Sequence, residues 1–191
     1  QGICFVGKVD LPTFLQQQLE PRKGDIIKID ESDLFDRPAV DDLSGISKPH
    51  SFAGMAGKKV GEHEGAHFFT IGQRKGLRVG GMKAPLYVLG TDTEKNIVYA
   101  GEGENHPGLF RKALFVNKAD MHWLREDMKE QVDGEALDLR IRYRQPLQKG
   151  KMSQADEGCY FVFDKPQRAI TPGQFIAWYK EDELLGSGVI Q

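Results

Sequence analysis

From Ala66 to the end of the chain, apolar side chains come in short runs broken by glycine, proline and polar pairs, not in the three-and-four spacing of amphipathic helices. "LYVLGTD" and "NIVYAG" flank a polar turn at Thr93 to Lys95 and predict a hairpin. "KALFVNK", "EALDLRIRYRQ", "GCYFVFDKP", "QRAITPGQFIAWYK" and "ELLGSGVI" follow at nearly even spacing, which points to a small barrel or sandwich. The fold class is therefore mainly β with few short helices: a small central β-rich domain followed by a C-terminal β-barrel. "HPGLF" breaks the pattern at Pro107 and Gly108 and marks the boundary between them.

Helical signal is confined to "DLPTFLQQQLEP", where Asp10 can cap, Pro12 suits a first turn, and Leu11, Phe14, Leu15 and Leu19 share a face. "GDIIKID" then reads as a strand. The stretch that follows, around 31–59, keeps no period and is expected to be a long exposed insertion. Segment boundaries follow: 1–20 holds the short helix, 21–108 the central β-rich domain with its insertion, and 109–191 the barrel.

Composition excludes several classes. An apolar share of 39% with 28% charged residues fits an ordinary globular chain, and no apolar run approaches the roughly 18 residues of a membrane span. Two cysteines, Cys4 and Cys159, are too few for a disulfide scaffold, so a cytoplasmic location is expected. The net charge of −2 predicts no bulk attraction to a polyanion, yet the charges are uneven. Between Asp25 and Ser47 there are seven acidic and two basic side chains, whereas from Ala136 to Lys151 there are five basic and one acidic. That second block is a candidate nucleic-acid face.

Six groups of residues are candidates for chemistry. Cys4, in "QGICFVG", is either a small hydrophobe in a strand or a thiol whose reactivity needs exposure and positive or N–H-rich surroundings; Gly2, Gly7 and Lys8 permit the second option. Cys159 shares a strand face with Phe161 and Phe163 and reads as packing. "HEGAH", His63 to His67, matches H-E-x-x-H, but glycines punctuate it and a strand follows. In extended chain the two rings would lie roughly 13 Å apart, too far to share a metal. "TIGQRKGLRVGG" crowds Arg74, Lys75 and Arg78 among glycines without the spacing of a Walker A loop, and is either a solvated turn or a phosphate contact. In "EALDLRIRYRQ", alternation places Leu137, Leu139, Ile141 and Tyr143 on one face and Asp138, Arg140, Arg142 and Arg144 on the other, a row of cations that suits either a solvated face or an RNA backbone. "TPGQ" is a turn that leaves Gln174 able to present its amide.

"QGICFVG", "GEHEGAHFFTIGQRKGL", "HPGLF", "RIRYRQ" and "AITPGQFIAWY" occur in an order and spacing that strongly resemble the tRNA-specific 2-thiouridylases. The likeness covers nearly the whole chain apart from the stretch around Glu31 to Lys59. It implies a three-part protein with an N-terminal ATP-pyrophosphatase domain, a central β-rich domain and a C-terminal β-barrel. This chain resembles the last two parts, with 1–20 at the end of the catalytic domain. Cys4 then matches the second of two catalytic cysteines, the one that carries sulfur as a persulfide and is resolved as a disulfide.

The implied reaction is ATP-dependent replacement of O2 of the wobble uridine by sulfur, with the tRNA anticodon arm as substrate and a sulfur-relay protein as donor. Arg142, Tyr143 and Gln174 match positions that contact tRNA; Arg140 and Arg144 extend that set by strand alternation. ATP would be bound outside this stretch, so no cofactor and no metal are expected here, and the chain alone is expected to be inactive. Two other classes compete: a non-catalytic RNA-binding β module and, more remotely, a zinc hydrolase built on His63 and His67.

Overall fold

The computed structural model describes residues 20–34 and 42–191. Cys4 and the helix expected at "DLPTFLQQQLEP" lie outside the described residues, apart from the end of the latter. The described chain is mainly β and forms two compact units, one from 20–34 with 51–106 and one from 42–50 with 107–191.

The first unit is a four-stranded sheet of β1 (Gly24–Lys28), β2 (Lys58–His63), β3 (Leu86–Asp92) and β4 (Ile97–Glu102), in the order β2-β1-β4-β3. The expected hairpin is β3–β4, antiparallel, with Lys95 N donating to Asp92 Oδ1 at 2.8 Å and Asn96 held at φ +57°. Asparagine tolerates that left-handed backbone. Its buried side chain also ties the turn down: Oδ1 accepts from Ala66 N at 2.9 Å, and Nδ2 donates to the carbonyls of Arg22 and Lys23. β1 runs parallel to β4 through its single fully buried residue, Ile26, which packs with Leu77, Leu86, Val88, Val98 and Ala100.

The second unit is a closed six-stranded barrel of β5 (Phe110–Trp123), β6 (Ala136–Arg140), β7 (Gln148–Ala155), β8 (Gly158–Arg168), β9 (Phe175–Lys180) and β10 (Glu183–Ile190). Every neighbouring pair in the ring β10-β5-β8-β7-β6-β9 is antiparallel. Closure leaves no sheet edge to be covered. Trp178 fills the interior, its ring 5.0 Å from Phe161 and 5.1 Å from Trp123. β10 can pass that indole only because residue 186 is glycine: a Cβ there would lie 2.5 Å from Trp178 Cζ2 and 2.7 Å from the His122 carbonyl oxygen.

Two expectations change. The region around 31–59 is not simply an exposed insertion where it is described. Residues 43–47 form a short helix, α1 (Leu43–Ser47), capped by Asp42 Oδ1 accepting from Gly45 N, and Ser47 is buried in the barrel unit. Phe52, in the other unit, is buried against Tyr99. The cause is tertiary: α1 docks on β5, where Arg111 seizes its last carbonyl. The second correction concerns β6, which stops at Arg140. The continuous strand to Arg144 is not formed.

Candidate nucleic-acid interface

The end of β6 decides where the expected cations go. After Ile141, which is buried, the chain turns, with Gln145 N donating to the Arg142 carbonyl at 3.0 Å. Arg142, Tyr143 and Arg144 therefore sit on a loop between β6 and β7, all exposed, and do not form one straight row with Arg140. Arg140 itself lies half-buried at the strand end with its guanidinium 5.6 Å from the centre of the Tyr179 ring, a cation–π contact on the neighbouring strand β9.

A second loop, between β8 and β9, is stitched to the first. Arg142 Nη2 donates to the carbonyls of Arg168 and Ala169 at 2.9 and 2.6 Å. Gln145 Nε2 donates to Gln167 Oε1 at 2.8 Å, and Gln167 Nε2 reaches Gln148 Oε1 and the Lys165 carbonyl. From the other side, Arg111 Nη2 donates to the Ile170 carbonyl at 3.0 Å while its Nη1 donates to Ser47 O at 2.7 Å. Arg111 is buried with carbonyls as its partners, and that burial pulls its pKa down to about 10, still far enough above neutrality to keep it charged.

The Thr171–Gln174 turn follows directly. Gly173 N donates to Ile190 O, and the Gln174 carbonyl accepts from Ile190 N at 2.8 Å, so the half-buried Gln174 is fixed at the base of β9. The two loops thus bring Arg142, Tyr143, Arg144 and Gln174 to adjoining loops on one side of the barrel. Arg140 lies just inside. Tyr143 is 87% exposed and Phe175 62%, the largest exposures among the big apolar side chains described.

The electrostatics suit an anion. Arg140, Arg142 and Arg144 form no ion pair among the described residues. Arg142 is held below the ordinary arginine value, first by partial burial of its guanidinium and then by the like charge of Arg168. Arg142 and Arg144, exposed on one loop with the exposed Tyr143, offer guanidinium donors to a phosphate and a ring on which a base can stack. Arg111, Arg168 and Phe175 were not singled out by sequence. Arg111 sits at a buried position of a strand that reads as ordinary alternation, and Phe175 reads as part of an apolar run.

The other candidates separate. "HEGAH" makes no helix: β2 ends at His63 and 66–68 is one 3₁₀ turn. His63 is buried, accepts from Gly65 N on Nδ1 and packs edge-on to Phe69, whereas His67 is exposed against Phe68. Cys159 is buried with Phe161 and Phe163 in the barrel core, and burial pushes its thiol up to about 11. Among the described residues no helix is long and apolar enough to cross a membrane. The glycine-rich segment at 72–81 does not open a helix and so is not a P-loop.

Two domain families match in tandem. Residues 45–102 match the tRNA methyl transferase PRC-barrel domain and residues 113–190 the aminomethyltransferase beta-barrel domain. Curated proteins named tRNA-specific 2-thiouridylase MnmA align with the whole chain: 51% identical in Flavobacterium johnsoniae, 48% in Christiangramia forsetii and 42% in Karelsulcia muelleri. The chain belongs to the tRNA-specific 2-thiouridylase family. It spans about half the length of these 2-thiouridylases, 50%, 50% and 49% respectively. In this member of the family, the two barrel loops just described and the start of β9 carry the exposed Arg142 and Arg144 together with the exposed aromatics Tyr143 and Phe175.

Proposed function

We propose that this chain is the tRNA-holding part of a cytoplasmic sulfurtransferase that places sulfur on C2 of the wobble uridine. The observation that carries the reading is the pair of stitched loops presenting Arg142, Tyr143 and Gln174, in a chain aligned end to end with proteins named as tRNA 2-thiouridylases. Arg142 and Arg144 hold backbone phosphates of the anticodon arm, Tyr143 offers a stacking surface, Gln174 gives a directional amide, and Arg140 supports the loop from the strand end.

The chemical step is assigned to Cys4 together with the part of the protein outside this chain. ATP supplies the activation that makes O2 a leaving group, and we assign that half of the reaction to the part of the protein outside this chain, which spans about half the length of its 2-thiouridylase relatives. A sulfur-relay protein leaves Cys4 as a persulfide. Its terminal sulfur attacks C2 and the activated oxygen departs. A second cysteine thiolate then attacks Cys4 Sγ, the persulfide S–S bond breaks with its electron pair left on the new C2 sulfur, and a Cys–Cys disulfide forms. A reductant must restore both thiols before another turnover.

The test is tRNA thiolation by the full-length protein with Cys4→Ser. Loss of 2-thiouridine, read by mass spectrometry of digested tRNA, with tRNA affinity intact, is expected. Thiolation at the wild-type rate would remove Cys4 from the mechanism.

A further inference from the structure

The glycine-rich loop of the first unit has no role in the reading above, and it is an organised loop. From Gly65 to Thr91 the chain has no carboxylate and four cations, Arg74, Lys75, Arg78 and Lys83. The apolar residues between them are anchors. Leu77 is buried in the sheet's core, and Val79 and Met82 pack against the same cluster. Val79 is seated over β2 because residue 61 is glycine; a Cβ there would lie 2.8 Å from Val79 Cγ2. At the loop's start, Gln73 accepts from Thr70 N at 3.2 Å and donates to the Lys75 carbonyl at 2.7 Å, while Val88 N reaches the Gln73 carbonyl. With the anchors turned inward, Arg74, Lys75, Arg78 and Lys83 are all exposed.

Neighbouring lysines show what is unusual here. Lys28 lies between Asp30 and Glu102, and Lys59 between Asp25 and Glu62. Among the described residues none of the four loop cations has an ion-pair partner. Glu102, the carboxylate behind the loop, is already engaged: it accepts from Ala84 N at 2.6 Å and from Lys28 Nζ at 3.4 Å.

Arg74, Arg78 and Lys83 border a cleft of about 370 Å³ whose floor includes Gly80 and Gly81. Nothing lies within 4 Å of where a Cβ would stand on either glycine, so a ligand can approach their backbone directly. Arg78 is held at φ +53°, a left-handed backbone that is disfavoured for a residue with a side chain and is found where the surroundings impose it.

We infer that the cleft bordered by Arg74, Arg78 and Lys83 is a phosphate-binding site that takes backbone phosphodiesters of the tRNA. The inference rests on the RNA reading above and extends it to the first unit. The chemistry is shared with free phosphate: guanidinium and ammonium donors around an open backbone. RNA is the source assigned because the site is a solvent-facing rim of long cations, which suits a backbone strand passing over it better than an enclosed ion.

The experiment measures binding of an unmodified tRNA transcript, with uridine at the wobble position, to the 191-residue chain across a salt series. The triple variant R74Q/R78Q/K83Q is expected to bind more weakly, with a log–log salt slope shallower by about 2, since each neutralised phosphate contributes roughly 0.7–0.9. R74K/R78K, which keeps the charge, should retain the wild-type slope. Independently of any variant, tRNA should shift the amide resonances of Gly80 and Gly81.

If the triple variant binds as wild type and those amides do not move, while Arg142→Ala weakens binding, this inference alone is overturned. If the wild-type chain shows no salt-sensitive tRNA binding, the RNA reading falls and takes the inference with it. Saturable shifts of Gly80 and Gly81 with inorganic phosphate, without any effect of the triple variant on tRNA, would also overturn it, by making free phosphate the ligand.

Discussion

Replacing Arg142 separates two jobs that one side chain performs. Its Nη2 holds the carbonyls of Arg168 and Ala169, and its other donors make no hydrogen bond among the described residues, leaving them for a phosphate. The first job is structural. Two bonds from a charged donor would stabilise by about 3–6 kcal/mol if fully buried, but Arg142 is exposed and water competes for both partners, so about 1 kcal/mol in total is the reasonable figure. In a domain of this size that is a fall of about 4–8 °C in melting temperature. The second job is electrostatic: one lost phosphate contact should reduce the log–log salt slope by roughly 0.7–0.9.

Arg142→Lys discriminates the two roles. Its single ammonium restores the charge, so the slope should return, while the fork geometry that serves two adjacent carbonyls is lost and the melting temperature stays low. The assays are calorimetry on the free chain and tRNA binding by fluorescence anisotropy from low to moderate salt. If Arg142→Ala lowers stability and affinity but leaves the slope unchanged, the residue only shapes the loop and the phosphate contact is refuted.

Other outcomes follow from packing and protonation. Gly186→Ala should destabilise the barrel by about 1–3 kcal/mol, the usual range for overpacking, because the new methyl meets Trp178 on one side and the fixed His122 carbonyl on the other; a calorimetric trace unchanged from wild type would show that β10 can shift. His63 and His106 are both buried in the first unit, and burial, the largest influence on each, lowers their pKa from 6.5 against the raising effects of nearby backbone acceptors and of acidic groups including Asp25 near His63 and Glu31 near His106. The unfolded chain therefore binds more protons than the folded one between the folded values and 6.5, so stability is full above 6.5 and falls as pH drops through that window. Hydrogen exchange at β1 amides should speed up between pH 7.5 and 5 after correction for intrinsic rates, and less so in His63→Asn; equal protection at both pH values would contradict the assignment.

Much of the fold can be read locally. The β3–β4 hairpin, the strands of the barrel and the inward face of β8 with Cys159, Phe161 and Phe163 follow from period-two alternation and turn chemistry, which are properties of neighbouring residues. The candidate site was legible as residue types, Arg142, Tyr143 and Gln174, but not as an arrangement. Alternation extrapolated β6 through Arg144, whereas β6 pairs with β7 only as far as Leu139 and with β9 as far as Arg140. Once ladder partners run out, the chain turns, and the cations move from a strand face to a loop.

The sequence by itself determined the class of fold, the places where strands turn, and the charge carried by each segment, because these depend on side chains a few positions apart. Tertiary structure alone decided that a buried Arg111 would clasp both α1 and the Ile170 carbonyl, that Arg142 would bind two loops together, and that Leu77, Val79 and Met82 would press a cationic loop into one shape. Those contacts join residues tens of positions apart. Their formation depends on which surfaces meet when the barrel closes and the sheet packs, and no local pattern records that.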